Sequence, residues 1–194
     1  MYKDIILIGP MGVGKTTTGL LMSQKLQVQS ICLDDISLYY YYRQGYSVAT
    51  ANQLMQERGP VGMYAYMKPL DANSVIQMLN DFNQCVFDLG AGQSVYEDEA
   101  LFEQIQQALE PYENVVLLIP ANDHAESLAY LLNRAGEMDI IPTDEQVALL
   151  KHFIEHPSNW KLAKHIVFIK DKNPETICDE VLAVTRLGNY ESTS

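Results

Sequence analysis

Short apolar runs alternate along the chain with longer segments in which apolar residues recur at helical spacing. The apolar runs are Ile5–Ile8, Ile31–Leu33, Cys85–Phe87, Val115–Ile119 and Ile166–Ile169. Each is continuous or rich in β-branched residues, as expected of parallel strands that are covered on both faces. The helical segments are Thr17–Leu26, Ser74–Leu79, Asp98–Leu109, His124–Asn133, Glu145–His156 and Pro174–Thr185. This alternation predicts an α/β fold, a three-layer sandwich around a five-stranded parallel sheet.

Two stretches interrupt the alternation. Residues 36–80, between the second and third strands, are too long for one crossover helix and predict a small helical subdomain. Asp71 or Asn73 is the predicted cap of its last helix. Residues 134–143 are predicted to form a loop. Because open α/β sheets bind their ligands at the carboxyl ends of strands, we expect the first stretch to bind substrate and the second to be a lid.

The composition is that of a single globular domain with a small-molecule ligand. Of the 194 residues, 47% are hydrophobic, which fits one domain over residues 1–188 with a polar tail at 189–194. No run approaches the roughly 20 apolar residues of a membrane span, and we expect no secretory signal and no membrane partner. The net charge of −12 disfavours nucleic acid, which proteins bind through Lys and Arg. Three widely spaced cysteines argue for a reducing cytoplasm and against a disulfide framework or a zinc site; they are Cys32, Cys85 and Cys178.

Residues 9–16 have the sequence Gly-Pro-Met-Gly-Val-Gly-Lys-Thr, between the first predicted strand and the first predicted helix. This is a phosphate-binding loop in the strand–loop–helix context that it needs. Its glycines let successive N–H groups turn toward one anion, and the helix adds the positive end of its dipole. Lys15 is predicted to reach the β- and γ-phosphates of ATP, and the Thr16 hydroxyl to ligate Mg²⁺. The residues predicted to bind the nucleotide here are Gly9, Met11, Gly12, Val13, Gly14, Lys15, Thr16 and Thr17.

Asp34 and Asp35 end the second predicted strand, across from the phosphate loop. A carboxylate at this edge of the sheet holds a substrate hydroxyl or acts as its base. The alternative interpretation is that the two acids cap the helix that follows. Both are therefore candidates for catalysis and for substrate binding.

Asp88 ends the third predicted strand and is followed by Gly90 and Gly92. This is the position of a carboxylate that binds Mg²⁺ beside a phosphate loop. The two glycines would let a substrate approach the backbone closely. An ordinary strand exit with a helix cap at Ser94 is the alternative.

Four other features have weaker patterns. Arg134, near the predicted lid, has the position of an arginine that meets the transferring phosphoryl group, or of a solvated helix-end cation. Asn173 and Pro174, which open the last helix, form a candidate adenine-side loop. The run Tyr39–Tyr42 fits packing within the helical insertion better than an aromatic wall for a ligand, and the histidines show no metal-ligand pattern.

Together these motifs resemble the shikimate kinase family of small phosphoryl-transfer enzymes. The segment from Ile6 to Gly19 is similar to the opening segment of that family, and Asp34-Asp35 to its acidic strand end, where an aspartate contacts substrate hydroxyls. Residues 90–92 resemble its glycine triplet, and residues 173–175 its adenine loop. The resemblance implies the P-loop nucleoside triphosphate hydrolase fold with strand order 2-3-1-4-5, a helical substrate subdomain and a lid.

The chain departs from the family pattern at the residues that recognise the substrate. The family carries a Phe-Arg pair followed by an acid, in which the arginine grips the shikimate carboxylate, whereas residues 62–68 contain no arginine. A second substrate arginine is also missing at residues 155–158, so a shikimate carboxylate would need Arg58 or Lys68 instead. We therefore expect ATP-dependent phosphoryl transfer to a hydroxyl of a small metabolite. The alternative is a nucleotide-binding sensor or partner-binding protein on a kinase scaffold.

Overall fold

A computed structural model describes residues 3–185, and within them strands and helices alternate as the apolar pattern indicates. The strands are β1 (Ile5–Ile8), β2 (Gln29–Cys32), β3 (Cys85–Asp88), β4 (Asn114–Ile119) and β5 (His165–Phe168). The helices are α1 (Lys15–Leu26), α2 (Leu33–Arg43), α3 (Val48–Asp81), α4 (Glu99–Leu109), α5 (His124–Glu137), α6 (Asp144–Glu155), α7 (Ser158–Leu162) and α8 (Pro174–Val184). A 3-10 turn spans Ala91–Ser94. The polar tail predicted for 189–194 lies outside the described residues.

The strands form one parallel sheet in the order β2-β3-β1-β4-β5, which confirms the predicted fold. Every residue of β1, β3 and β4 is buried, because these strands lie inside the sheet and helices cover both of its faces. The edge strands β2 and β5 are partly exposed. The carboxyl ends of β1, β2 and β3 lie side by side, with Leu7 opposite Asp88 and Asp88 opposite Cys32.

No helix within residues 3–185 is both long enough and apolar enough to cross a membrane. Helix α1 packs against α8, and α3 packs against α2 and α4. The apolar side chains of the buried strands meet those of the helices in one main core.

The region between β2 and β3 is helical, but its boundaries differ from those predicted. Helix α3 begins at Val48, after the N-cap Ser47, so the prediction of a cap at Asp71 or Asn73 is wrong. Although Pro69 suggests a boundary just before those residues, the helix continues through it. The break lies at Gly59, where φ is 63° and ψ is −161°, and Pro60 follows it.

Helix α5 is longer than its apolar pattern indicates. It continues to Glu137, so Arg134 and Gly136 are helical and the connection to α6 is confined to residues 138–143. The prediction that Arg134 lies after the helix is therefore wrong. Gly136 lowers the helical propensity of this turn without ending the helix.

Candidate active site

The loop between β1 and α1 has the backbone shape that binds phosphate groups. Gly9, Gly12 and Gly14 all have positive φ angles, of 135°, 80° and 88°. A Cβ atom at Gly9 would lie 2.3 Å from the carbonyl oxygen of Leu118, so a side chain does not fit there. Gly14 is the N-cap residue of α1, whose first N–H groups have no acceptor within the helix. These groups and the helix dipole together form an anion site.

Lys15 is the first residue of α1 and is buried beside the loop. Its Nζ donates hydrogen bonds to the carbonyl oxygens of Gly9, at 2.9 Å, and Pro10, at 3.1 Å. Burial lowers the pKa of Lys15, and the nearby carboxylates of Asp88 and Asp34 oppose this shift. The ammonium group is therefore close to the loop and to both acids.

The two residues predicted to hold Mg²⁺ are hydrogen-bonded to each other. Thr16 Oγ1 donates to Asp88 Oδ2 at 2.5 Å, and Asp88 is only 2% exposed. Hydroxyl and carboxylate oxygens are ligands that Mg²⁺ takes in sites shared with substrate phosphates and water. No three His, Cys, Asp or Glu side chains within residues 3–185 form a metal-binding group. The pair thus fits a cation whose remaining ligands are phosphate and water oxygens.

Asp34 contacts the turn that follows β3. Its Oδ1 accepts a hydrogen bond from Nε2 of Gln93 at 3.0 Å. A Cβ atom at Gly90 would lie 2.2 Å from the same oxygen, so this carboxyl requires a glycine beside it. Burial raises the pKa of Asp34, and the positive charge of Lys15 opposes the shift. A carboxyl group with a raised pKa, close to the phosphate loop, is a candidate base.

The interpretation of Asp34 and Asp35 as helix caps is wrong. Cys32 is the N-cap residue of α2, and both acids lie in the first turn of that helix. There their negative charge interacts favourably with the positive end of the helix dipole. Both acids are exposed, and Asp34 is the one that lies against Gly90 and accepts a hydrogen bond from Gln93. The structure therefore distinguishes the two adjacent acids, which the sequence does not.

The turn after β3 is held by a side chain that no motif indicated. Gln93 Oε1 accepts a hydrogen bond from the backbone N–H of Gly90 at 2.6 Å, while its Nε2 donates to Asp34. The hydroxyl of Tyr96 donates to the carbonyl oxygen of Gln93 at 3.0 Å. Gln93 thus links the turn to the carboxyl group of Asp34. Its place directly after Gly90-Ala91-Gly92 is the one sequence signal that could have identified it.

Ser94 does not cap the helix that follows this turn, so that alternative for the end of β3 is wrong. The N-cap residue of α4 is Asp98, whose side chain accepts a hydrogen bond from the backbone N–H of Leu101 at 3.0 Å. Ser94 itself lies in the 3-10 turn.

Of the two cations considered as substitutes for the missing arginines, Lys68 reaches the turn after β3. Its Nζ donates hydrogen bonds to the carbonyl oxygens of Gly92 and Val95. Asp71, one helical turn further along α3, accepts a hydrogen bond from the Tyr41 hydroxyl at 2.5 Å. Arg58 is exposed, one residue before the break in α3.

Arg134 lies beside the phosphate loop. Its Nη2 would be 3.9 Å from a Cβ atom at Gly14, and the residue is half-buried in the last turn of α5. Together with Tyr130 and Asn133, Arg134 lines one wall of a cleft of about 500 Å³, and residues 170–172 line the opposite wall.

Asn173 and Pro174 come directly after that wall. The side chain of Asn173 accepts a hydrogen bond from the backbone N–H of Thr176 at 2.8 Å and caps α8, and Pro174 is the first helical residue. On this side the cleft is lined by Lys170, Asp171 and Lys172, which precede the predicted pair.

The tyrosine run packs mainly as the simpler interpretation predicts. Tyr40 and Tyr41 are buried, whereas Tyr39 and Tyr42 are 60% and 58% exposed. The hydroxyl of Tyr40 donates to Asp81 at 3.1 Å, which joins α2 to the end of α3. The inner two tyrosines therefore attach α2 to α3.

The comparisons with known proteins concern both sequence and fold. No family model matches the chain. The shikimate kinase of Flavobacterium psychrophilum is 25% identical over 181 residues, which cover 92% of this chain and 96% of that protein. A structure of shikimate kinase from Acinetobacter baumannii in complex with shikimate aligns with a TM-score of 0.62 at 16% identity, over 94% of this chain and 92% of that one. Shikimate kinase from Bacteroides thetaiotaomicron aligns with a TM-score of 0.60 at 20% identity, over 95% and 98% of the two chains.

The sequence similarity extends along nearly the whole of both proteins, so it is not confined to the phosphate loop. At these identities the solved structures establish the fold. The resemblance is thus confirmed: in sequence and in fold, the chain is similar to the shikimate kinase-like P-loop kinases.

Proposed function

We propose that the chain is a kinase that transfers the γ-phosphoryl group of ATP to a hydroxyl group of a small metabolite. The observation that carries the proposal is the environment of Lys15. Its ammonium group bonds to the phosphate loop and interacts electrostatically with both Asp88 and Asp34. The anion site, the metal ligands and a candidate base therefore meet at the carboxyl edge of one sheet, where α/β folds bind their ligands.

On the nucleotide side, the loop amides and Lys15 would hold the phosphates, and Thr16 and Asp88 would hold Mg²⁺. When bound, Mg²⁺ supplies charge neutralisation on the phosphate oxygens. The cleft between Arg134 and residues 170–172 is a suitable place for the nucleoside. Arg134 lies close enough to Gly14 to contact a phosphate group held at the loop.

On the acceptor side, Asp34 would accept the proton of the attacking hydroxyl group. A bond forms between the acceptor oxygen and the γ-phosphorus, and the bond from that phosphorus to the β–γ bridging oxygen breaks. ADP leaves with the electron pair of that bond. Gln93 keeps the Asp34 carboxyl against Gly90, so its orientation is fixed before the acceptor binds.

Replacing Lys15 tests the nucleotide side. Lys15→Met keeps the length of the side chain and removes its charge, so we expect ATP turnover to fall about a hundredfold to a thousandfold. Lys25→Met is the matched control, because Lys25 is exposed at the other end of α1 and pairs with Asp179. Circular dichroism and thermal melting would establish that both variants fold. Full turnover by Lys15→Met would show that the loop is assigned the wrong role.

A nucleotide-binding protein without kinase activity is the second candidate function. Lys68 favours it, because this cation already bonds to two backbone carbonyl groups, as a scaffold residue would. Calorimetric titration with ATP and Mg²⁺, followed by phosphorylation assays on a panel of hydroxylated metabolites, separates the two. Nucleotide binding without phosphorylation of any acceptor would support the second function and contradict the first.

A further inference from the structure

The environment of Lys68 bears on which acceptor the site takes. Its Nζ donates to the carbonyl oxygen of Val95 at 2.8 Å and to that of Gly92, and the residue is only 5% exposed. The same nitrogen lies 4.4 Å from the ring centroid of Tyr64 and 4.9 Å from that of Tyr96. Two carbonyl oxygens and two aromatic faces therefore surround the ammonium group.

This shell holds the Lys68 ammonium group inside the protein, where burial lowers its pKa and the negative charges of Asp71 and Glu97 oppose that shift. An ammonium group has three N–H donors, two of which bond to the carbonyls, and aromatic faces attract a cation through their quadrupole. The two carbonyl groups lie within the 3-10 turn and directly after it, so the lysine fastens that turn to α3. Moving the ammonium to a ligand would break both bonds and take this donor from the buried carbonyl oxygen of Val95, which is costly.

The other charges near Asp34 are mostly negative. Burial raises the pKa of Asp34, while Asp88 and Asp35 add to the shift and Lys15 opposes it. Lys15 is bonded to the phosphate loop. Burial likewise raises the pKa of Asp71; the hydrogen bond from Tyr41 and the positive charge of Lys68 oppose that shift, and the negative charge of Asp34 adds to it. An anionic group bound here would face these carboxylates, whereas hydroxyl groups would donate hydrogen bonds to them.

We propose that the acceptor is an uncharged polyhydroxylated molecule, a neutral polyol or sugar, and that Lys68 fastens the turn after β3 instead of binding an acceptor carboxylate. This inference rests on the proposed kinase function. The polar groups available to such an acceptor are the carboxylates of Asp34 and Asp71 and the backbone at Gly90, where no side chain intervenes. A molecule with several hydroxyl groups matches this set of acceptors.

Acceptor pairs that differ in one charged group test the inference on the unmodified protein. One suitable pair is glucitol and gluconate. The other is shikimate and the primary alcohol that forms when its carboxyl group is reduced. We expect kcat/KM for the neutral member to exceed that for the carboxylate by about tenfold or more, the loss that follows from an uncompensated charge. A preference for the carboxylate members would overturn the inference while leaving the kinase function standing. ATP binding without phosphorylation of any member would overturn the kinase function as well.

Variants of Lys68 test whether this residue fastens the turn after β3 or binds an acceptor carboxylate. Lys68→Met removes the ammonium and keeps most of the apolar stem. We expect a lower melting temperature and an unchanged ratio of kcat/KM between the members of each pair, because the ammonium touches neither acceptor. If Lys68→Met does not fold, Lys68→Arg replaces it, because arginine retains the charge. The ratio of kcat/KM between the members of each pair should stay unchanged in that variant too. A ratio that moves selectively against the carboxylate members in Lys68→Met would show that Lys68 binds the acceptor anion.

Discussion

The nucleotide half and the acceptor half of the candidate site are built in different ways. The phosphate-binding part of the nucleotide half is one continuous loop, residues 9–16, whose groups are mostly backbone amides fixed by three glycines with positive φ. The acceptor half combines side chains from three separate places, namely Asp34 at the start of α2, Lys68 and Asp71 on α3, and Gln93 after β3. The first half depends on local conformation and the second on tertiary packing.

This difference explains why one half matches the shikimate kinase pattern closely and the other does not. A backbone anion site needs only glycines at a few positions and a helix start, and its ligand is the same in every enzyme that uses ATP. An acceptor site made of side chains changes its specificity whenever one contact changes. The absence of arginine from residues 62–68, where Lys68 bonds to the protein itself, is such a difference.

The largest effect on the acceptor half should come from Asp34. Asp34→Asn keeps the shape and removes the base, so we expect kcat to fall about a hundredfold to ten-thousandfold. Affinity for ATP and Mg²⁺ should change little, since the carboxyl contacts Gln93 and Gly90 on the acceptor side. Steady-state kinetics and calorimetric titration with the nucleotide measure the two quantities.

Asp35→Asn provides the comparison for that variant, because Asp35 is adjacent and equally exposed, while the contacts with Gly90 and Gln93 are made by Asp34. A much smaller loss of kcat is expected for it. Equal losses in the two variants, or a loss of nucleotide affinity in Asp34→Asn, would mean that the two halves are not separable at this residue.

Gly90→Ala should have the next largest effect. The added Cβ atom would lie 2.2 Å from Asp34 Oδ1, so the carboxyl must move. We expect kcat to fall about tenfold to a hundredfold and the free energy of unfolding to drop by about 1–3 kcal/mol, the usual cost of overpacking. Kinetics and urea denaturation measure these changes.

Gly136→Ala is the matched control, because Gly136 is helical in α5 and a Cβ atom there meets nothing within 4 Å. It should leave kcat unchanged and raise the free energy of unfolding by about 0.5–1 kcal/mol, the helix-propensity gain of alanine over glycine. Similar kinetic losses in both variants would refute the close packing of Asp34 on Gly90.

The sequence predicted the parts of this molecule that depend on neighbouring residues. The five strands and the phosphate loop follow from short contiguous patterns, whereas the sheet order comes from the resemblance to the shikimate kinase family. Asp88 could be placed beside Thr16 because Asp88 ends one strand and Thr16 ends the loop that follows the neighbouring strand, and the structure joins them at 2.5 Å.

The contacts that the sequence did not predict cross long distances along the chain. Gln93 and Asp34 are 59 residues apart, and Lys68 and Gly92 are 24 apart. The position of Lys68 depends on the break in α3 at Gly59, while Pro69 suggests a different boundary. Only the packed structure shows which of Asp34 and Asp35, or of Arg58 and Lys68, faces the turn after β3.

Gln93 should give the smallest effect, one that appears in the pH dependence. Asp34 must be ionised to accept a proton, and burial raises its pKa, so kcat/KM should fall as the pH decreases through that raised pKa. The hydrogen bond from Gln93 favours the ionised form and so lowers the pKa of Asp34. In Gln93→Ala the acidic limb should therefore move to higher pH. Gln104→Ala, an exposed position on α4, should not move it. If Gln93 only supported the turn, its loss would lower kcat/KM equally at every pH, and the acceptor half would then be ordered by its backbone, as the nucleotide half is.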